Sequence, residues 1–442
     1  MRTASRTGIG LVPTSSFLEA LPGVEWLILI VMLAVFSLGV FALKVPAGVS
    51  LMLAAVAGTL TAGEGVPVRH LVEGGFGFLE AILVIASAMV FMKAIEAAGT
   101  LGTVNYYMIK WFHRSPSLLL IVIVFFVMFP GMLTGLSSAC ILTTGALVAP
   151  GLIAMGMSSR AVGAFIAMGA VLGEVAPPVC IPVMLIGGGV DMPYVGFALP
   201  LMLASFPIAI ATALYFRFRY LGPFRVENVL PKLRPPVYDT YGVKLFLPTL
   251  AVVGFLILEQ IIPERLPHIG IPLTFVIGAV LALPSGVRFN LWRVLRNAMR
   301  DAMPVMAILV GVGMFLQVFT LTGARGNLAV RALLLPEDIR YLAAAIMPFF
   351  GSAYASASVI GVPLVFVFIG KNEIVVTAGL ALMAALGDLM PPPCLLCAYA
   401  SQITGGENHF KILRLLILPI VLAVAIGISI IYFADEIAAV IF

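Results

Sequence analysis

The sequence has 442 residues, of which 62% are hydrophobic and 10% charged, with a net charge of +5, whereas soluble domains run near 45–50% apolar and about 25% charged. No soluble fold hides that much apolar surface, and the apolar residues come in runs of about 20, the length a helix needs to cross a bilayer. The Lys and Arg residues sit in the breaks between these runs, which excludes nucleic-acid binding and points to a multi-pass protein of the lipid bilayer.

Residues 1–23 form an N-terminal segment with Arg2 and Arg6 ahead of a polar stretch. The apolar run Trp26 to Leu43 lacks a small-residue cleavage site and is expected to stay as the first membrane helix. A first unit, 24–217, then divides into helices 24–43, 46–61 and 78–98 and an amphipathic helix 101–114. A hairpin follows at about 117–156, then a helix at about 160–188 broken by a Pro-Pro pair, and a last helix 194–217. A basic linker, 218–243, follows. The second unit, 244–434, has helices 244–262, 269–284 and 301–320, an amphipathic helix 325–336, a hairpin at about 338–371, a broken helix at about 373–400 and a last helix 411–433. A tail, 435–442, closes the chain.

The two units are copies. Gly173-Glu174-Val175-Ala176-Pro177-Pro178-Val179-Cys180 returns, 214 positions later, as Gly387-Asp388-Leu389-Met390-Pro391-Pro392-Pro393-Cys394. Each hairpin carries a run of small and hydroxyl residues, Gly131 to Ser138 and Gly351 to Ser358. If each hairpin enters and leaves on one side, each unit crosses the membrane about five times, and the second copy is inverted. The fold class is therefore an all-α polytopic membrane protein of two inverted repeats. Arg217, Arg219, Arg225, Lys232, Arg234 and Lys244 put the linker in the cytoplasm. Against that orientation stand Arg2, Arg6, Arg325, Arg331 and Lys371, which fall outside.

A helix in lipid pairs its own backbone groups, so a break at depth leaves amides and carbonyls for protein, water or ligand to satisfy. Tandem prolines force such a break. Two Gly/Ser/Thr-rich tips opposite two broken helices bring loose carbonyls and hydroxyls to one region, together with half-helix N-termini that favour an anion. Glu174 and Asp388 stand at the breaks, where an intramembrane acid is a functional candidate by default. They serve cation coupling or a protonation step, or else each caps the amides left by the break, or orients the hairpin, while the ion sees only carbonyls. Cys140, Cys180, Cys394 and Cys397 have no metal-ligand spacing beyond one C-x-x-C and are expected to be packing residues. No nucleophile–base pair or metal-ligand set speaks for an enzyme, and no cofactor is expected.

The tip Thr134-Gly135-Leu136-Ser137-Ser138-Ala139, the exit Ser158-Ser159-Arg160-Ala161 and the two Gly-x-x-x-Pro-Pro breaks resemble the large membrane subunit of tripartite ATP-independent periplasmic (TRAP) transporters, over about Val24 to Phe433. The resemblance implies an elevator-type secondary transporter in a bacterial inner membrane, importing a small organic anion such as a C4-dicarboxylate or sugar acid on a sodium gradient. It also implies a periplasmic substrate-binding protein and a small membrane subunit as partners. Carried over residue by residue, one sodium would involve Thr134, Gly135, Ser137, Ser138, Gly173 and Ala176, and a second Ala355, Ser356, Ser358, Gly387 and Met390. Substrate binding and coupling would fall to Ser137, Ser138, Glu174, Pro177, Pro178, Ser356, Ser358, Asp388, Pro391 and Pro392. Glu174, Met390 and Val179 depart from the family pattern, which expects an apolar residue, a hydroxyl and a serine there. The alternative is a stand-alone carrier of the same superfamily, or a cation/proton exchanger that uses Glu174 and Asp388.

Overall fold

A computed structural model describes residues 23–261, 269–333, 336–391 and 394–442, so the expected N-terminal segment, all but its last residue, lies outside the described residues. The described elements are helical, as continuous apolar sequence in lipid requires, because a helix satisfies all its backbone groups within itself. In chain order the first repeat comprises α1 (Val24–Ser37), α2 (Ala47–Thr61), α3 (Val68–Phe76), α4 (Leu79–Ala97), α5 (Thr100–Phe112), α6 (Pro116–Thr134), α7 (Ser137–Ala154), α8 (Ser159–Val175), α9 (Ile181–Gly189) and α10 (Ala198–Tyr220). The second comprises α11 (Leu247–Ile261), α12 (Ile271–Ser285), α13 (Leu291–Leu321), α14 (Ala324–Leu333), α15 (Ile339–Phe350), α16 (Ala353–Val367), α17 (Glu373–Leu386), α18 (Leu395–Ile403) and α19 (His409–Tyr432), followed by α20 (Ala434–Ile441).

Six described helices are long and apolar enough to cross a membrane, seven if α3 and α4 count as one bent span. The fold is thus polytopic, with two inverted repeats, each holding a helical hairpin (α6–α7 and α15–α16) and a broken helix (α8–α9 and α17–α18). Three elements differ from the sequence expectation. The short α3 has no counterpart in the sequence expectation. Residues 435–441 of the expected tail are helical, within Ala434–Ile441. Finally, α13 begins at Leu291, ten residues before its expected start, because Arg293, Arg296, Arg300 and Asp301 continue the helix rather than end it. Charge marks a membrane boundary, but it does not stop helix propagation, since Arg is a good helix former.

The chain divides into two compact units, one of residues up to Gly77 with Ala307–Arg331, the other of Phe78–Met306 with the remainder from Ala332. Small residues set the packing in the first. A Cβ on Gly48 would lie 2.5 Å from the Ala307 backbone, so these two backbones approach in the way small residues permit in membranes, and one on Gly58 would lie 2.6 Å from the Met32 sulfur, whose side chain takes the space. In the second unit α4 packs along α12, where Phe91 stacks on Phe275 at 5.8 Å and Gly278 leaves room for the Phe91 ring. Lys93, inside α4, pairs with Asp301 at 3.1 Å and Glu96 at 3.5 Å, which neutralises a lysine in an apolar helix. The linker is strapped to α5 by Val237 N–H donating to Thr103 Oγ1 (3.1 Å), and the residues just after it by Thr100 Oγ1 donating to Leu245 O (3.1 Å). Both hairpins and both breaks belong to this second unit.

Candidate functional site

Each hairpin turns on one glycine. Gly135 and Gly351 adopt φ of +67° and +78°, a region costly for other residues. An extended residue follows, Leu136 or Ser352, and the return helix starts at Ser137 or Ala353. Both return helices then pass through one π-helical turn, Ile141–Gly145 and Ala357–Gly361. The tips are therefore in register at 216 positions. This corrects the sequence pairing of the runs from Gly131 and Gly351: the counterpart of Gly351 is Gly135, and those of Ser137 and Ser138 are Ala353 and Tyr354.

The first tip is closed by its own side chains. Thr134 Oγ1 donates to Pro130 O (2.7 Å) and accepts from Leu136 N–H (3.2 Å). Gly131 faces the first break so closely that a Cβ there would sit 2.7 Å from the Gly173 carbonyl carbon. A Cβ on Gly173 would in turn lie 2.6 Å from the Met128 carbonyl oxygen. The break itself follows Val175, with Ala176 N–H as the last to reach back to the helix, at Leu172 O (3.0 Å). Pro177 and Pro178 donate nothing. Val179 N–H then finds Met132 O of the hairpin (3.1 Å). Tyr194, from the loop after α9, serves two stranded groups with one hydroxyl: Cys180 N–H donates to it (3.0 Å) and it donates to Pro178 O (3.0 Å).

Asp388 lies in the turn that ends α17 and is 7% exposed. Its Oδ1 accepts from Ala353 N–H (2.9 Å) and its Oδ2 from Ser137 Oγ (3.0 Å), the first residues of the two return helices. One carboxylate thus touches both tips. Tyr354 adds a second link, its hydroxyl donating to Gly135 O (3.2 Å). Glu174, the repeat counterpart of Asp388, is fully buried beside Ser137, Tyr354 and Asp388. Those two hydroxyls donate elsewhere, and neither oxygen of Glu174 has a hydrogen-bond partner among the described residues. A buried carboxylate in that setting has to be neutral or hold a cation, because an isolated buried charge is prohibitively costly.

The structure therefore gathers Ser137, Gly135, Glu174 and Asp388, together with Tyr354, which sequence reasoning did not single out. Tyr354 is the one large polar residue in a run of Gly, Ser and Ala, and that contrast was the signal available. Ser356 and Ser358 sit a turn inside α16 and donate to Met347 O (2.9 Å) and Tyr354 O (2.8 Å), so their hydroxyl protons serve their own hairpin. Ala355 is buried beside them. Ser138 is half-buried next to Ser137. Gly387 and Met390 form the turn around Asp388, where Met390 N–H donates to Gly387 O (3.0 Å) and Cys394 N–H to Met390 O (3.0 Å). Pro391 is exposed, and Pro392 lies outside the described residues. Among the described residues no group of three or more His, Cys, Asp or Glu is placed to hold a metal ion, so a cation here would rest on carbonyls, hydroxyls and one or two carboxylates.

No protein-family model and no curated protein matches the chain. Solved structures do. MtrF of Neisseria gonorrhoeae, described as illuminating a class of antimetabolite efflux pumps, is similar at TM-score 0.58 and 15% identity, over 96% of this chain and 97% of that one. The YdaH transporter of Alcanivorax borkumensis, described as having an unusual topology, is similar at TM-score 0.58 and 16% identity, over 87% of this chain and 97% of that one. At such identity the likeness is one of fold, and nearly the whole chain shares the all-helical polytopic architecture of these two membrane proteins.

Proposed function

We propose that the chain is a secondary transporter that imports a small organic anion, a carboxylate of the C4-dicarboxylate or sugar-acid kind, on a sodium gradient across a bacterial inner membrane. In this reading it is the large permease subunit of a TRAP-type system, working with a small membrane subunit and a periplasmic binding protein. The observation that carries the transport reading is the junction of both hairpin tips with both broken helices around a buried, unpartnered Glu174. An acid kept there without a bond is a poised cation or proton site. The tip and break motifs support the TRAP assignment, and the fold shared with two solved transporters supports transport in general. Because the described tip residues carry no Arg or Lys, the anion would lean on half-helix N-termini, hydroxyls and a bound cation. Sodium at the tips would order the hairpins and so complete the anion site.

Uptake of labelled carboxylates into proteoliposomes tests this, with and without an inward sodium gradient and the partner proteins. Sodium-dependent accumulation that requires the binding protein is expected. Accumulation without partners assigns the chain to stand-alone carriers, and loss from preloaded vesicles assigns it to efflux. The unpartnered Glu174 favours one second reading, a cation/proton exchanger. Sodium or proton flux with no organic anion moving, abolished by Glu174→Gln, would replace the import reading with that one.

A further inference from the structure

We propose that Asp388 is a positioning residue that clasps the two hairpin tips into a single wall, acting through the hydrogen bonds it accepts rather than as a ligand of the coupling ion. Both its oxygens are engaged, Oδ1 by Ala353 N–H at 2.9 Å and Oδ2 by Ser137 Oγ at 3.0 Å. These donors open the return helices α16 and α7, so a carboxylate at that point also faces two helix N-termini, where negative charge is favoured. Both return helices run for well over two turns, to Val367 and Ala154.

A second link comes from Tyr354. Its hydroxyl, carried on the second tip, donates to the carbonyl of Gly135, the hinge residue of the first. The two repeats are thereby joined by two hydrogen bonds, Ser137 to Asp388 and Tyr354 to Gly135, across 251 and 219 positions of sequence, while the bond from Ala353 N–H, 35 positions away, ties Asp388 to the tip of its own repeat. Glu174, at the equivalent place in the other break, makes none of these bonds. The pseudo-symmetric acids therefore divide the work: one fastens the tips and the other stays open to a cation or proton. A wall fastened in this way yields at both tips or at neither.

The clasp rests on the transporter reading only where transport is the readout, so the experiment pairs a transport measurement with one independent of it. Ser352 is half-buried at the second tip, whereas the four native cysteines are buried, so Ser352→Cys reports tip opening through its rate of reaction with a maleimide in the purified full-length protein. Asp388→Ala and Ser137→Ala are each expected to raise that rate about tenfold, which corresponds to losing one or two buried hydrogen bonds. Tyr354→Phe is expected to raise it less. Asp388→Asn can still accept from Ala353 N–H with Oδ1 and donate to Ser137 Oγ with Nδ2, so its labelling rate should stay within about twofold of the parent.

An unchanged rate in Ser137→Ala and Asp388→Ala overturns the clasp. So does an Asp388→Asn protein whose tip is as reactive as that of Asp388→Ala, since charge would then be what matters. An Asp388→Asn protein with a closed tip but no cation dependence makes Asp388 an ion ligand and also overturns it. Should Asp388→Ala fail to fold, Ser137→Ala and Asp388→Asn decide by themselves. A wild-type protein that transports nothing but shows the expected labelling pattern sinks the import reading and leaves the clasp standing.

Discussion

Glu174 and Asp388 occupy the same place in two copies of one motif, yet Asp388 accepts two well-formed hydrogen bonds while Glu174 lies beside Ser137 and Tyr354 with neither oxygen in hydrogen-bond geometry. An acid held unpaired in a packed interior is a stability liability kept for function. Glu174→Leu is therefore expected to raise the thermal midpoint of the purified protein by about 2 °C or more while abolishing cation-dependent transport. A lowered midpoint would mean that Glu174 is fastened by a bond absent from this structure. The sequence marked both acids through their shared Gly-acid-x-x-Pro-Pro setting. It could not say which one would be satisfied, because the donors to Asp388 come from residues 251 and 35 positions away. A local motif carries no information about which distant hydroxyl the fold will deliver. Tyr354 is illegible in the sequence for the same reason, since its role exists only once Gly135 is brought beside it.

Elements were legible where periodicity or punctuation was strong, and less so where it was not. Tandem prolines located both breaks, and the first falls between Val175 and Ile181 as the motif requires. The hairpin register was harder to read, because a run of small residues offers several equally plausible alignments, and only the positive-φ glycine distinguishes the turn. Close approach of hairpin and broken helix depends on Gly131 and Gly173, whose missing side chains let backbone meet backbone. Gly173→Ala is expected to cost about 1–3 kcal/mol through overpacking, read as a lower denaturation midpoint, and an unaffected midpoint would mean the hairpin shifts freely. Tyr194→Phe leaves Cys180 N–H and Pro178 O without their shared partner. It should cost about 1–3 kcal/mol and speed backbone hydrogen exchange at Cys180, with exchange elsewhere unchanged.

At the scale of the whole chain, composition alone fixed the solvent as lipid, and the repeat fixed the architecture. The proposed orientation places the basic linker in the cytoplasm. A cysteine at Lys232, exposed in the linker, should then react with an impermeant maleimide in inside-out vesicles and stay unlabelled in intact cells; labelling in intact cells would reverse the topology. What no single-repeat pattern could reveal is how the halves interlock. The second half of each broken helix packs on the hairpin of the opposite repeat, α9 on α16 and α18 on α7. Gly189 faces Val362, Gly361 faces Ile186, and Gly145 faces Ile403. This exchange has a consequence for biosynthesis. When α9 leaves the ribosome, the hairpin that will cover it has yet to be translated, a wait on the order of ten to thirty seconds at ordinary elongation rates. Through that interval its glycine face has only lipid or the insertion machinery for company. The first repeat is thus completed from the carboxyl-terminal side, and a ribosome stalled at the linker leaves a half-protein whose broken helix lacks its mate.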